Sequence, residues 1–260
     1  MGRQEQTNHL FSNRDLRILL VPLIVEQILN SLMGTADSIM VSNVGSAAIS
    51  AVSLVDSINI LVIQAFYALA AGGTIVCSQY IGQKDKKNAE EAARQLSFVV
   101  ACISSAVMAV CLLTRGPLLR LIFGSVEADV MEAAQTYFFY TALSFPFIAL
   151  YDAGSSIYRA QGNTRLPMTI AVVSNGLNIA GNAVLIWGFH LGVAGAAIAT
   201  CLGYCVPSIV GLVYFTKNRT GSLYFVPFKF DGRTLLAACG NGSSEMVSNI
   251  ANAITTFVFN

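Results

Sequence analysis

Charge is what this sequence has least of. Asp, Glu, Lys and Arg make up 11% of its 260 residues, where a soluble domain carries about 25%. That is too little polar surface to cover a water-soluble core of this length. With 55% of positions hydrophobic and a mean hydropathy of +0.63, the composition calls for lipid as part of the solvent. The charges nearly cancel, at a formal net of +1, so nothing points to a nucleic-acid partner.

Catalytic and metal-binding chemistry is equally thin. The two histidines are His9 and His190, and there is no GxSxG, HExxH or GxxxxGK pattern. An enzyme is not expected, nor a resident cofactor. Cys77, Cys102, Cys111, Cys201, Cys205 and Cys239 show no CxxC spacing. They lie in or beside apolar stretches and read as packing residues rather than as a disulfide framework or a zinc site. The first apolar run is too long for a cleavable signal peptide. Met1-Gly2 fails as a myristoylation signal because Gln6 stands where Ser or Thr is required.

Long apolar runs, by contrast, are plentiful. A spanning helix needs about 20 mostly apolar residues, and six such stretches are predicted, near 16–42, 53–81, 96–113, 133–157, 166–189 and 193–215. A seventh starts near 235 and is cut by the chain end. The expected fold class is all-α, a polytopic membrane helical bundle. Its expected parts are a tail at 1–15, a six-helix bundle at 16–217, a connection at 218–234 and the incomplete start of a second bundle at 235–260.

The loops supply a check on the span count. If the spans alternate sides, 13 of the 15 basic residues fall on the side of the N-terminus, leaving Arg115 and Arg120 on the other. Cytoplasmic loops collect Lys and Arg, so a multi-pass protein of the plasma (inner) membrane with a cytoplasmic N-terminus is expected. Helix ends are marked at Gly82, at Gly116-Pro117, where a break is expected, and at Gly162-Asn163 with Pro167 in the first turn that follows. Pro22, Pro146 and Pro207 fall inside apolar stretches and read as kinks, or as hinges for transport.

Polar residues inside the spans carry the functional signal, because they are costly there unless paired or used. They are one-sided in sign. Glu26, Asp37, Asp56, Asp152 and Glu245 fall in or at the ends of spans, and no Lys or Arg falls at a span centre. Such an interior suits a proton, a cation or a cationic substrate. In the first span Glu26, Asn30, Met33 and Asp37 share one helical face, which reads either as a cation or proton site facing a cavity or as a hydrogen-bonding packing face. Asn175, Asn178 and Asn182 form a matching stripe in the fifth span, with interhelical packing as the alternative. Asp56, Asn59 and Gln64 in the second span are weaker candidates, and Asp56, near a predicted span end, is expected to reach solvent. Asp152 is expected near a span end as well, with Arg159 as a possible partner. The small-residue runs Ala70-Ala71-Gly72-Gly73 and GVAGAA from Gly192 read as close-packing surfaces.

The stretches PLIVEQILNSLMGTADSIMVSNVG, SQYIGQKD, YRAQGNTRLP, SNGLNIAGNAVLIWG and LGVAGAAIAT, in this order and spacing, resemble the multidrug and toxic compound extrusion (MATE) family. The resemblance covers nearly the whole chain. It implies one lobe of a two-lobe, twelve-helix secondary antiporter, in which inward Na⁺ or H⁺ movement drives export of cationic, amphipathic drugs. The implied partners are the lipid bilayer, such substrates and the missing C-terminal half of the transporter. By the family pattern, Asp37 is the first-span aspartate of the cation site, Asn178 its fifth-span asparagine, and Na⁺ is implied at these two. Asn182 stands where many members have a second aspartate, which leaves Asn178, Asn182 and Thr200 as neutral donors around one charge. Glu26, three turns along the helix, is a candidate replacement for the missing carboxylate. Asn30, Asn175 and Gln64 join Glu26 as candidates for coupling or for the substrate cavity. Glu26 and Asn30 recur as Glu245 and Asn249 at the same spacing of four, a faint echo of a parallel repeat. A chain stopping here reads as a fragment that does not transport alone. The alternative functions are a lipid-linked saccharide flippase of the same superfamily and a non-transporting remnant of the parent transporter.

Overall fold

In the computed structural model, residues 13–124, 126–217 and 240 are described. Among them every regular element is a helix. The elements are α1 (Asn13–Ser42), α2 (Ser46–Gly82), α3 (Lys86–Phe123), α4 (Ala128–Leu143), α5 (Phe145–Ala160), α6 (Arg165–Asn182), a π-helical turn (Ala183–Gly188) and α7 (Gly192–Lys217). The predicted connection at 218–234 and the seventh apolar stretch, with Glu245 and Asn249, lie outside the described residues.

Five segments are long and apolar enough to cross a membrane: Leu16–Ser42, Ser46–Gly82, Lys86–Phe123, Arg165–Gly188 and Gly192–Ile209. The fourth predicted span is two helices of 16 residues each, α4 and α5. Each is short of the roughly 20 residues a crossing needs, so the pair reads as one broken span. The break falls at the single residue Ser144, and its cause is local. Pro146 has no N–H to donate, and at the joint Ser144 turns back on Thr141, its N–H at 3.0 Å and its Oγ at 2.6 Å from the same carbonyl oxygen.

Gly116-Pro117 does not break the chain, contrary to expectation. α3 runs on to Phe123 with Pro117 inside it, since one proline removes a single ladder hydrogen bond and an apolar surround favours keeping the rest. Gly82 does end α2, and α3 restarts at Lys86 under an Asp85 cap whose side chain accepts from the Asn88 N–H at 3.2 Å. Gly162, at φ +77°, supplies the left-handed residue of the turn between α5 and α6.

The packing is that of a bundle turned inside out. α2 is central, against α3, α4 and α5, while α6 and α7 pair and α1 leans on α6. The apolar core between α2, α3, α4 and α5 includes Val55, Phe66, Val100, Phe138 and Phe145, with Phe66 and Phe145 edge to face at 5.9 Å. Large apolar side chains such as Leu113 (85% exposed) and Leu121 (84%) point outward, while Glu26 (1%), Asn178 (0%) and Asn182 (0%) are buried. Such an arrangement is costly in water and favourable in lipid.

α6 and α7 approach closely because α7 carries glycine and alanine where they meet. A Cβ on Gly203 would lie 3.2 Å from Asn178 Cβ and 3.3 Å from the Ser174 carbonyl oxygen. Ser174 Oγ donates to the Gly203 carbonyl at 2.5 Å. Ala196, Ala197 and Ala199 are buried alongside. The expected run from Gly192 contributes buried Ala196 and Ala197, while Ala199 and Gly203, beyond that run, bring α7 close to α6.

Candidate functional site

Asp37 lies five residues before the end of α1 and is 7% exposed. Its Oδ1 accepts from Asn182 Nδ2 and its Oδ2 from Thr200 Oγ1 at 3.4 Å. Asn178 Nδ2 donates to Thr200 Oγ1 at 3.2 Å, and Asn182 Nδ2 also lies 3.4 Å from Asn178 Oδ1. Three helices thus deliver one carboxylate, two amides and one hydroxyl to a single cluster. Asn178 and Asn182 are four apart on α6, which puts them on one face. Thr200 holds its place through its own helix, donating to Ala196 O at 3.0 Å.

The donor set is all oxygen with one formal charge, which suits a small hard cation or a proton. Asn182 Oδ1 is buried without a hydrogen-bond partner, a neutral acceptor aligned with neither helix backbone nor neighbour. Among the described residues no three His, Cys, Asp or Glu side chains converge.

The cluster borders a cavity of about 540 Å³ between α1, α2, α4, α5 and α7. Its wall carries a second carboxylate, Asp56. The expectation that Asp56 sits at a span end is corrected here. α2 begins at Ser46, seven residues earlier than predicted, which carries Asp56 nearly three turns into the helix. Asn59 Nδ2 lies 3.4 Å from its Oδ1, and Tyr137 on α4 lines the same cavity. Asp56 and Asp37 line the same cavity. Phe145, Tyr137 and Tyr204 give aromatic surface to the same space, and among the described residues no lysine or arginine lines it.

The other candidates separate. Asn30 is exposed and lines the cavity beside Met33. Asn175 is buried but turns its amide onto its own backbone, donating to Ala171 O at 2.9 Å, away from Asp37. Gln64 is exposed and absent from the cavity wall. Glu26 is 1% exposed and does not join Asp37. Arg159, at the end of α5, donates to Glu26 Oε1 at 2.5 Å, and Tyr151 OH lies 3.3 Å from the same oxygen. Glu26 is thus already partnered by a cation and does not supply the missing charge at Asn182.

Two expectations fail together at this point. Arg159 pairs with Glu26 rather than with Asp152, which lies two helical turns away on the same element. The acidic interior also has an internal basic partner after all. Periodicity on one helix could not reveal either, because the pair joins α1 to α5 over 133 positions. Tyr137 and Tyr204 were missed as well; nothing separates them in sequence from the other aromatics of the spans.

A family model described as MatE matches residues 22–184. The "Uncharacterized transporter YisQ" of Bacillus subtilis is 33% identical over 218 residues, covering 82% of this chain and 46% of that protein. The "Probable multidrug resistance protein NorM" of Thermotoga maritima is 28% identical over 216 residues, 79% of this chain and 45% of its own length. Among solved structures, an outward-facing multidrug resistance MATE family transporter of the MOP superfamily superposes with a TM-score of 0.86 at 23% identity. It covers 94% of this chain and 54% of that one. This chain therefore spans about half the length of the curated relatives it matches. From the family model and the relatives together, the chain belongs to the MatE family of multidrug and toxic compound extrusion transporters, not enzymes, and corresponds to roughly the N-terminal half of such a protein.

Proposed function

We propose that this chain is the ion-coupling lobe of a secondary antiporter that exports cationic, amphipathic compounds in exchange for Na⁺ or H⁺. The observation that carries the reading is the cluster of Asp37, Asn178, Asn182 and Thr200 on the wall of an aromatic, carboxylate-lined cavity. The coupling ion binds at Asp37, where Asn178, Asn182 and Thr200 supply neutral oxygens. The substrate occupies the cavity, its positive centre facing Asp56 and its apolar body against Tyr137, Phe145 and Tyr204.

Antiport follows from electrostatics within this geometry. Two carboxylates that feel one another across a low-dielectric space bind cations anticooperatively, so an ion arriving at Asp37 weakens the hold on a cation at Asp56. The lobe rocks against a second bundle about the shared cavity, giving alternating access. The N-terminus lies in the cytoplasm of a plasma (inner) membrane protein, in keeping with the basic bias of the loops. A flippase for pyrophosphate-linked saccharides would need cationic groups in the cavity, and the described wall carries none.

The test is gradient-driven transport by the protein at its native length in lipid vesicles. An imposed Na⁺ or proton gradient should drive counter-movement of tetraphenylphosphonium, and Asp37→Asn should abolish the coupling. Tetraphenylphosphonium movement indifferent to both gradients would overturn the reading.

A further inference from the structure

A second cluster lies along α1, eleven residues before Asp37 and so about 16 Å away by helical rise. Glu26 is 1% exposed. Its Oε1 takes the Arg159 guanidinium at 2.5 Å and the Tyr151 hydroxyl at 3.3 Å, and its Oε2 is buried with no partner. On α5, Tyr151, Asp152, Ser155 and Arg159 fall within one face about 100° wide. The charges acting on Asp152 are those of Arg159 and Glu26. From α7, Tyr204 stacks edgewise on Tyr151 at 6.4 Å and senses Asp152 too, but it is neutral.

The charge count does not close. Two carboxylates share one guanidinium, which leaves one negative charge uncompensated within the bundle. The polar atoms tell the same story independently. Asp152 Oδ2 is buried without a partner, and so is Ser155 Oγ on a residue only 3% exposed. Asp152 is half-buried, and holding a negative charge with one oxygen shut away from water and unpartnered is unfavourable, a mismatch that protonation removes. Ser155, three residues on, is a helical neighbour of Asp152 and offers an acceptor for the hydrogen that a protonated Asp152 would carry.

We propose that the Glu26–Arg159–Asp152 cluster is a second proton-binding site, with the proton held on Asp152 and the Arg159 guanidinium kept on Glu26. The bound species is a proton rather than a metal cation, because the Arg159 guanidinium on Glu26 Oε1 repels a second cation. Its setting gives the site leverage. α1 and α5 have no backbone packing against one another among the described residues, so the side-chain bridge from Glu26 to Arg159 and Tyr151 is what ties them. Release of the proton creates a rival anion for Arg159 and weakens that tie. None of this depends on the transport reading or on Asp37.

The test is carbodiimide labelling in membranes, mapped by peptide mass spectrometry, because dicyclohexylcarbodiimide modifies buried carboxyls in their protonated form. The protein at its native length should be labelled at Asp152 at neutral pH, with labelling falling as pH rises. Glu26→Gln removes a repelling charge and frees Arg159, so Asp152 ionises and its labelling drops about tenfold at neutral pH, the change in protonated fraction for one pKa unit. Arg159→Gln should do the opposite and sustain labelling to higher pH. If the arginine variant fails to fold, the glutamine substitution at Glu26, which leaves Arg159 with Asp152 as partner, decides alone. No labelling of Asp152 at neutral pH, labelling at Glu26 in its place, or equal labelling in Glu26→Gln and the native protein would each overturn the proposal.

Discussion

The side-chain amide of Asn182 donates to the carboxylate of Asp37, joining α6 to α1 across 145 positions of chain. The bond spends an amide N–H on the carboxylate and leaves the amide oxygen buried without a partner. An aspartate at 182 would replace the amide nitrogen with a second oxygen and bring a second negative charge to the same place. Asn182→Asp is therefore expected to tighten monovalent cation binding, by about tenfold if the added charge is worth one pKa-unit equivalent. The measurement is the Na⁺ concentration giving half-maximal dye efflux. An unchanged value would mean that position 182 does not face the ion.

Asp56 is expected to select for positive charge without carrying the coupling. Asp56→Asn should weaken binding of tetraphenylphosphonium by tenfold or more, equivalent to about 1.4 kcal/mol or above. Binding of an uncharged aromatic probe should change little. Equilibrium binding of both probes to the purified protein checks this, and equal losses for the two would point to a damaged cavity instead.

Close approach at Gly203 makes a stability prediction. A valine there must displace Asn178 or the Ser174 carbonyl, which stand 3.2 Å and 3.3 Å from the new Cβ, and should cost about 1–3 kcal/mol. Gly176→Ala, on the exposed side of α6 with nothing within 4 Å, should be neutral or stabilising by up to about 1 kcal/mol. Thermal unfolding in detergent compares the two. Ser174→Ala, which removes the 2.5 Å bond to Gly203 O, should fall between them at about 1 kcal/mol.

The joint at Ser144 is expected to depend on proline. Pro146→Ala restores a donor at the break and favours one continuous helix through 128–160. Because Ser144 and Phe145 line the cavity, straightening the joint should change substrate affinity while leaving Na⁺ or H⁺ binding at Asp37 in place. Affinity for tetraphenylphosphonium, measured beside ion binding on the same variant, separates the two effects.

Much of the fold was legible because lipid imposes a simple rule on sequence: each crossing is a long apolar run, and the loops between them keep the charge. That rule located the helices and failed where it says nothing. Length and hydropathy cannot distinguish one span from two half-length helices meeting at Ser144. A Gly-Pro pair looks like a stop whether or not a helix continues through it, as α3 does through Pro117. Asp37, Asn178 and Asn182 could be picked out because helical spacing puts polar residues on shared faces, and their convergence with Thr200 is a contact among three helices. The partner of Glu26 could not be found that way. Arg159 stands at the end of α5 beside Asp152 on its own helix, and only tertiary packing brings it to α1.

Dye accumulation in an efflux-deficient bacterium, with the protein expressed at its native length, tests the role of Asp37 most directly. Cells carrying the native protein should accumulate less ethidium than cells without it, and cells carrying Asp37→Asn at equal membrane abundance should accumulate as much as those without. Wild-type efflux by the Asp37→Asn protein would contradict the central claim, because the one charge of the coupling cluster would then be dispensable.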